Sequence, residues 1–474
     1  MNSQIIRLFG VVVVLFALLV LWTTRWTVID AKSLRNNPLN DRTLVQELRI
    51  KRGKIEAADG QVLARSVRGP GGTWSRFYPT RQTFAQVVGY SLPRESRAAG
   101  LELSRGEELR GIQTGLSSVF GPFNSRRVGD DVITGLDPKA QQVAIQGLAG
   151  RVGSVVALDP RTGAVRVMYA NPSYDDNHPN ATGSNVSTLN RSTQAAYPPG
   201  STFKVVTATA AIDSGKYTPN STVNGDSPKT ISGVPLQNDG NQSFGTIDLV
   251  KALTYSVNTV WAQVAENVGR ATMTKYMKRF GVYSKPPLDY PPNEMVASHV
   301  ESPTGRSYAP GSRNEDIGRI GIGQGGLVVT PLQMAMVAAA VANKGVLMAP
   351  QFMDRAVDQD GRTVTTNHPK VYNKVMSPQT AAEVTDMMRH VVEEGTGTPA
   401  QLGGISVAGK TGTASVGIQG SNLTQPWFIG FAPVGDPKVA VAVTVERTQG
   451  GFGGTVAAPI AKNVIQTLLQ DGGK

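Results

Sequence analysis

The chain has 474 residues, 40% of them hydrophobic and 17% charged, which describes a folded protein of two or more domains rather than a disordered one. Its net charge of +12 is spread out, with no dense Lys/Arg block and no interleaved aromatics, so nucleic-acid binding is not expected. The absence of cysteine excludes disulfides, thiol catalysis and Cys-ligated zinc.

The first predicted element is apolar. Leu8 to Thr24 reads LFGVVVVLFALLVLWTT, uncharged between Arg7 and Arg25, with Trp22 and Trp26 where interfacial aromatics belong. No small-x-small cleavage site follows it, so an uncleaved membrane anchor is expected in preference to a signal peptide. Charge alone does not orient this anchor. Arg7 argues for an inside N-terminus, but Arg25, Lys32, Arg35 and Arg42 crowd the other end. Residues 31–150 are polar, Arg-rich and punctuated by glycine, and they predict short strands and turns. Pro138–Leu148 fits a helix, and Ser154–Leu158 with Ala164–Ala170 fit two strands across a turn at Asp159–Gly163. Asp175-Asp176 reads as a solvated loop.

The stretch AAYPPGSTFKVV (195–206) places two prolines and a glycine ahead of Ser201. Thr202–Ser214 is then apolar around most of its circumference, which predicts a buried helix capped at Gly215. Leu249–Val268 predicts a second helix. The Gly- and Pro-rich span 281–326 lacks periodicity and predicts surface loops. A strand at Lys410–Thr413, a hairpin of Trp427–Ala432 with Lys438–Glu446, and a terminal helix over Ala457–Leu469 complete the pattern. Strands at both ends with helices between them predict an α/β domain whose sheet is antiparallel.

Three triplets carry candidate chemistry. Ser201 and Lys204 lie at i and i+3, so one helical face would bring the amine beneath the hydroxyl. A buried lysine loses its proton readily and serves as a base for an otherwise weak nucleophile. A capping serine with a solvated lysine explains the same pair, although the apolar neighbours of Lys204 oppose that. Lys410-Thr411-Gly412-Thr413 would set an amine and two hydroxyls on a strand edge, where glycine permits close approach of another backbone and the polar groups suit a carboxylate. The longer phosphate-loop pattern is absent around Lys410. Ser-x-Asn occurs twice, at Ser256–Asn258 and Ser312–Asn314. The first is preferred, with Ser256 relaying a proton and Asn258 binding a substrate amide.

In this order, Ser-x-x-Lys, Ser-x-Asn and Lys-Thr-Gly form the signature of serine penicillin-binding proteins and β-lactamases. The sequence strongly resembles a class B penicillin-binding protein across nearly its whole length. The likeness includes Arg52–Ala64, GSVVALDPRTGAVRVMYANPSYDDN (153–177), IGQGGLVVTP (322–331) and Trp427–Ala432. Its modest length and short N-terminal region resemble the actinobacterial PBPA type. The resemblance implies an α/β (α+β) penicillin-binding/serine β-lactamase-like transpeptidase domain, with an antiparallel sheet flanked by helices. It implies an anchor at 1–30, a small non-catalytic, pedestal or dimerisation-like domain at 31–150, and the transpeptidase domain at 151–474.

The implied reaction cross-links peptidoglycan stem peptides through a Ser201 acyl-enzyme that β-lactams also form. Lys204 would be the base, and Ser256 and Lys410 would assist proton transfer. Asn258, Thr411, Gly412 and Thr413 would bind substrate, with the Ser201 and Thr413 N–H groups as oxyanion hole. No metal or organic cofactor is implied. A single-pass protein with its N-terminus inside, its catalytic domain outside the cytoplasmic membrane and a SEDS-type glycosyltransferase as partner follows by the same resemblance.

A β-lactamase would need a water-activating residue, and no Glu-x-x-Leu-Asn pattern lies between Asn258 and Lys410. A D,D-carboxypeptidase differs only in using water as acceptor, and the class B likeness favours the amine. A non-catalytic scaffold or β-lactam sensor would not need all three triplets. The glycines at 321–326 lack the strand–helix setting of a nucleotide loop, and the four histidines do not pair at metal-ligand spacing.

Overall fold

The computed structural model describes residues 3–26, 41–112, 128–416 and 422–471. The expected division at residues 30 and 31, with Lys32 and Arg35, lies outside them. Helix α1 (Ser3–Thr24) is 22 residues long and its apolar side chains are exposed. At 1.5 Å per residue it spans about 33 Å, long and apolar enough to cross a bilayer.

The short strands that follow include β1 (Ile55–Glu56), β2 (Val62–Arg68), β3 (Trp74–Phe77) and β4 (Asp131–Thr134). Helix α2 (Pro138–Leu148) has Asp137 as its N-cap, accepting from the N–H groups of Lys139 and Ala140. It leads into β5 (Gly153–Leu158) and β6 (Val165–Asn171). The helical middle of the chain contains α3 (Lys204–Asp213), α4 (Leu249–Thr254), α5 (Asn258–Val268) and α6 (Pro331–Ala342). Strands β7 (Met353–Val357) and β8 (Thr363–Thr366) then precede α7 (Pro378–Glu393). The chain ends through β9 (Ala408–Ser415), β10 (Leu423–Ala432), β11 (Val439–Val445) and α8 (Gly453–Asp471).

One sheet has the order β9-β10-β11-β5-β6, with every neighbouring pair antiparallel. Both faces are covered, so β11 is buried at all seven positions and reads as the continuous run VAVAVTV. The strand period of two divides its side chains. Val439, Val441 and Val443 join the cluster under α2 and α8, whereas Ala440 and Ala442 join the core containing α3, α5 and α6. The second cluster is the larger. Helix α6 is buried at every position and needs no polar face.

The other sheet runs β8-β7-β4-β1-β2-β3, so residues 353–366 return to pair with the N-terminal strands. No local pattern in the sequence announces that partner. Beneath the sheet, Glu102 is fully buried between two guanidiniums. Arg52 donates to it at 2.9 Å and Arg76 at 2.6 Å. Asp289 ties the two parts together, accepting from Phe352 N at 2.6 Å and pairing with Arg105.

Two expectations need correction. Asp176 is only 1% exposed, not solvated, and burial pushes its carboxyl up to about 9. The 281–326 span is mostly irregular but is not confined to the surface: Val300, Ile320 and Ile322 lie in the core.

Candidate active site

Ser201 sits where the chain enters α3. The predicted helix over Thr202–Ser214 begins as a 3-10 turn, Gly200–Phe203, before becoming α-helical at Lys204. The approach is held from several sides. Tyr197 exchanges two backbone hydrogen bonds with Val329, both 2.9 Å, and Trp427 Nε1 donates to the Pro198 carbonyl at 3.0 Å. The Tyr197 hydroxyl donates to Glu446, which Arg191 also reaches at 2.9 Å. Gly200 has φ +53° and its N–H donates to the Gly323 carbonyl at 3.0 Å. Gly323 has φ +79°, and a Cβ there would stand 1.9 Å from the Gly200 carbonyl oxygen. Two backbones therefore meet where only glycine fits.

Below the serine lie two lysines whose side chains are fully buried. Lys204 Nζ donates to the Ser256 carbonyl at 2.7 Å and to Asn258 Oδ1 at 2.7 Å, with Ser256 Oγ at 3.2 Å. Lys410 Nζ reaches the same Ser256 Oγ at 2.9 Å and the Thr411 carbonyl at 3.0 Å. The expected helix over Leu249–Val268 is broken at this point. Ser256 has φ +60°, which ends α4 before α5 starts at Asn258 and puts one hydroxyl between both amines. A left-handed serine costs about 1–3 kcal/mol and is retained where its surroundings fix it. The second Ser-x-Asn lies elsewhere, in a loop where the Ser312 carbonyl accepts from Arg270.

Strand β9 forms the edge of its sheet, with β10 on one side only. Gly412 lets the Ser201 turn approach it, since a Cβ there would come within 2.7 Å of the Pro199 carbonyl and 3.0 Å of Thr202 N. The Thr411 side chain is nearly buried, with its hydroxyl 2.5 Å from that of Thr396. The Thr413 hydroxyl accepts from Gly453 N at 3.1 Å. All eight residues singled out from sequence thus lie in one constellation around Ser201. Thr396 and Gly453, which support it, carried no local signal, while Gly323 and Glu446 lay in segments read from the sequence without a role at the site.

The electrostatics follow from burial. Desolvation, reinforced by the charge of Lys410, holds the Lys204 amine well below its ordinary 10.5, with Asp239 opposing. Desolvation lowers Lys410 to about 7. Burial thus favours the neutral amine at both positions. The unfolded chain binds more protons than the folded one between about 7 and 10.5, so Lys410 makes stability rise with pH across that window.

A half-buried serine three residues before a fully buried lysine, itself linked through a second serine to another buried lysine, beside an antiparallel sheet covered by helices, defines the serine acyltransferase architecture of penicillin-binding proteins. The chain belongs to this family: the penicillin binding protein transpeptidase domain matches residues 153–466. The penicillin binding protein A dimerisation domain matches residues 52–143. The chain is 35% identical to the peptidoglycan D,D-transpeptidase PbpA of Mycolicibacterium smegmatis, over the full length of both. It is 30% identical to penicillin-binding protein A of M. tuberculosis, solved as a ceftriaxone acyl-enzyme complex. That likeness has a TM-score of 0.78 and covers 90% of this chain and all of the other. A D,D-transpeptidase domain from Eggerthella lenta is 32% identical, with a TM-score of 0.76 over 90% of this chain and 99% of that one.

Proposed function

We propose that this protein is a peptidoglycan D,D-transpeptidase that works through a Ser201 acyl-enzyme and is inhibited covalently by β-lactams. The observation that carries the reading is the junction of Lys204 and Lys410 on the Ser256 hydroxyl directly behind the Ser201 turn. A neutral Lys204 has two N–H groups. With these committed to the Ser256 carbonyl and Asn258 Oδ1, its lone pair remains for the Ser201 proton.

In the first half-reaction Ser201 Oγ attacks the carbonyl of the penultimate D-Ala, and its proton passes to Lys204. The backbone N–H groups of Ser201 and Thr413 stabilise the oxyanion. The C–N bond then breaks and the departing D-Ala amine takes a proton from the Ser256 hydroxyl, which Lys204 replenishes across 3.2 Å and so becomes neutral again, while Lys410 holds that hydroxyl from its other side. In the second half-reaction the amine of another stem attacks the ester and gives its proton to Lys204, and Ser201 recovers one as it leaves. Asn258 retains one amide N–H for the donor chain, the other being bonded to the Gln237 carbonyl. Thr411 and Thr413 hold the terminal carboxylate with Gly412 between them.

The substrate lies outside the cytoplasmic membrane, so we place residues 31–474 there with the N-terminus inside. Residues 31–150 then serve as a pedestal or dimerisation domain where a SEDS-type glycosyltransferase docks, and 151–474 as the catalytic domain. A D-Ala-D-Ala peptide donor supplied with an amine acceptor is expected to yield the new amide, detected by mass spectrometry, and Ser201→Ala to yield none. Release of D-Ala without amide at saturating acceptor would instead assign a carboxypeptidase.

Acylation should also report the state of Lys204. Only the neutral amine accepts the proton, so the rate of β-lactam acylation is expected to fall as the solution is acidified and to level off well below 10.5. A stopped-flow profile still rising toward the ordinary lysine value of 10.5 would contradict the assignment.

A further inference from the structure

Ser201 is approached through residues 197–200, and the side chain that steadies this approach comes from the far end of the chain. The Tyr197 hydroxyl donates to Glu446 Oε1, 249 positions later. The same oxygen accepts from Arg191 Nε at 2.9 Å. Glu446 is half-buried, and its backbone N–H donates to the Val152 carbonyl at 2.7 Å. Burial, with Glu446 acting in the same direction, pushes the Tyr197 phenol far above its ordinary 10, so it remains a donor at any working pH. The Tyr197 ring meets Trp427 edge-on with centroids 6.3 Å apart, and Trp427 in turn holds the Pro198 carbonyl.

Glu446 also stands at the root of the segment that closes the opposite end of the site. Strand β11 ends at Val445, and Arg447 turns the chain with φ +47°. Thr448 and Gln449 then pair with Thr424 and Leu423 of β10, and Gly453 N–H reaches the Thr413 hydroxyl. The packing there has no slack: a Cβ on Gly453 would stand 2.4 Å from the Gly412 carbonyl oxygen. One side chain therefore joins the approach to the nucleophile to the segment that sets the Thr413 hydroxyl.

The transpeptidase reading, on which this inference rests, makes the donor span Ser201 and Thr413, with its scissile carbonyl at the first and its terminal carboxylate at the second. Attack then requires the two to be held at a fixed separation. We propose that Glu446 is a positioning residue for acylation, setting the Ser201 turn against Thr413 through the Tyr197 hydroxyl. It touches no substrate, and no bond forms or breaks at it. Tyr197 donates and Glu446 accepts, so the contact needs an acceptor oxygen at position 446 rather than a charge.

Benzylpenicillin carries a reactive carbonyl and a carboxylate, so its acylation rate in the full chain, measured well below the unfolding temperature of each variant, reads that separation. Tyr197→Phe removes one oxygen and keeps the ring on Trp427. It is expected to lower the rate about tenfold, a part of the roughly 100-fold that a 1 Å displacement costs. Glu446→Ala should lose about as much, and the double variant no more than the slower single one, because both changes remove one contact. Glu446→Gln should acylate near the parent rate, since its amide oxygen still accepts from Tyr197. A merely structural role would lower the unfolding temperature and leave acylation by the folded variants unmoved. Parent rates in Tyr197→Phe and Glu446→Ala, losses that multiply in the double variant, or a Glu446→Gln as slow as Glu446→Ala each overturn the proposal. Failure of benzylpenicillin to acylate the parent chain overturns the Ser201 reading beneath it.

Discussion

Replacing Lys204 with methionine is expected to slow β-lactam acylation by about 10³- to 10⁴-fold while leaving the chain folded. A positioned general base contributes roughly 10²- to 10⁴-fold, and a serine hydroxyl without one is a weak nucleophile. The upper end is expected because the proposed mechanism makes Lys204 the base for acylation and its burial favours the neutral amine. Methionine matches the length of the buried stem and adds no charge. It leaves the Ser256 carbonyl and Asn258 Oδ1 without their donor, at a cost of about 1–3 kcal/mol each. The desolvation of a buried amine, removed with it, offsets part of that cost. Labelling kinetics with a fluorescent penicillin alongside thermal unfolding separate the two effects. Lys204→Arg should be as inactive as the methionine variant, because a guanidinium does not give up its proton. Acylation of either variant within tenfold of the parent rate would contradict the role.

Gly323→Ala is expected to cost both stability and acylation, although residue 323 touches no substrate. At φ +79° an alanine is strained by about 1–2 kcal/mol, before its Cβ meets the Gly200 carbonyl oxygen at 1.9 Å. That oxygen is backbone and immediately precedes Ser201, so relief of the clash moves the nucleophile. A displacement near 1 Å lowers a positioned reaction by about 100-fold. Gly215→Ala is the control. Gly215 also has a positive φ, +74°, but nothing lies within 4 Å of its added Cβ. It should lose a comparable strain energy and acylate at the parent rate. Equal acylation by the two variants would show that the Gly200–Gly323 approach does not position Ser201.

What could be read from the sequence was what local periodicity and spacing encode. The apolar segment, helix α2, strands β5, β6, β10 and β11, and the buried helix after Ser201 each have a pattern within their own residues. Ser201 and Lys204 share a face because helical geometry places i and i+3 together. Contacts made across the fold had no such pattern. The run Leu249–Val268 is apolar enough to be one helix, and its break at Ser256 comes from lysines 52 and 154 positions away that converge on that hydroxyl. The meeting of Gly323 with Gly200, the pairing of β7 with β4, and the Glu446 contact to Tyr197 join segments whose local sequences are unremarkable glycine, strand and loop. Asp176 looked exposed because a carboxylate usually is, and only the packing around it buries it.

The central claim is that Ser201 is the residue acylated. Intact-mass measurement of the full chain after incubation with benzylpenicillin, followed by peptide mapping, tests it most directly. The account predicts one adduct, on the peptide containing Ser201, persisting long enough to be isolated and absent from Ser201→Ala. An adduct on another peptide, or consumption of the drug with no adduct at all, would contradict it.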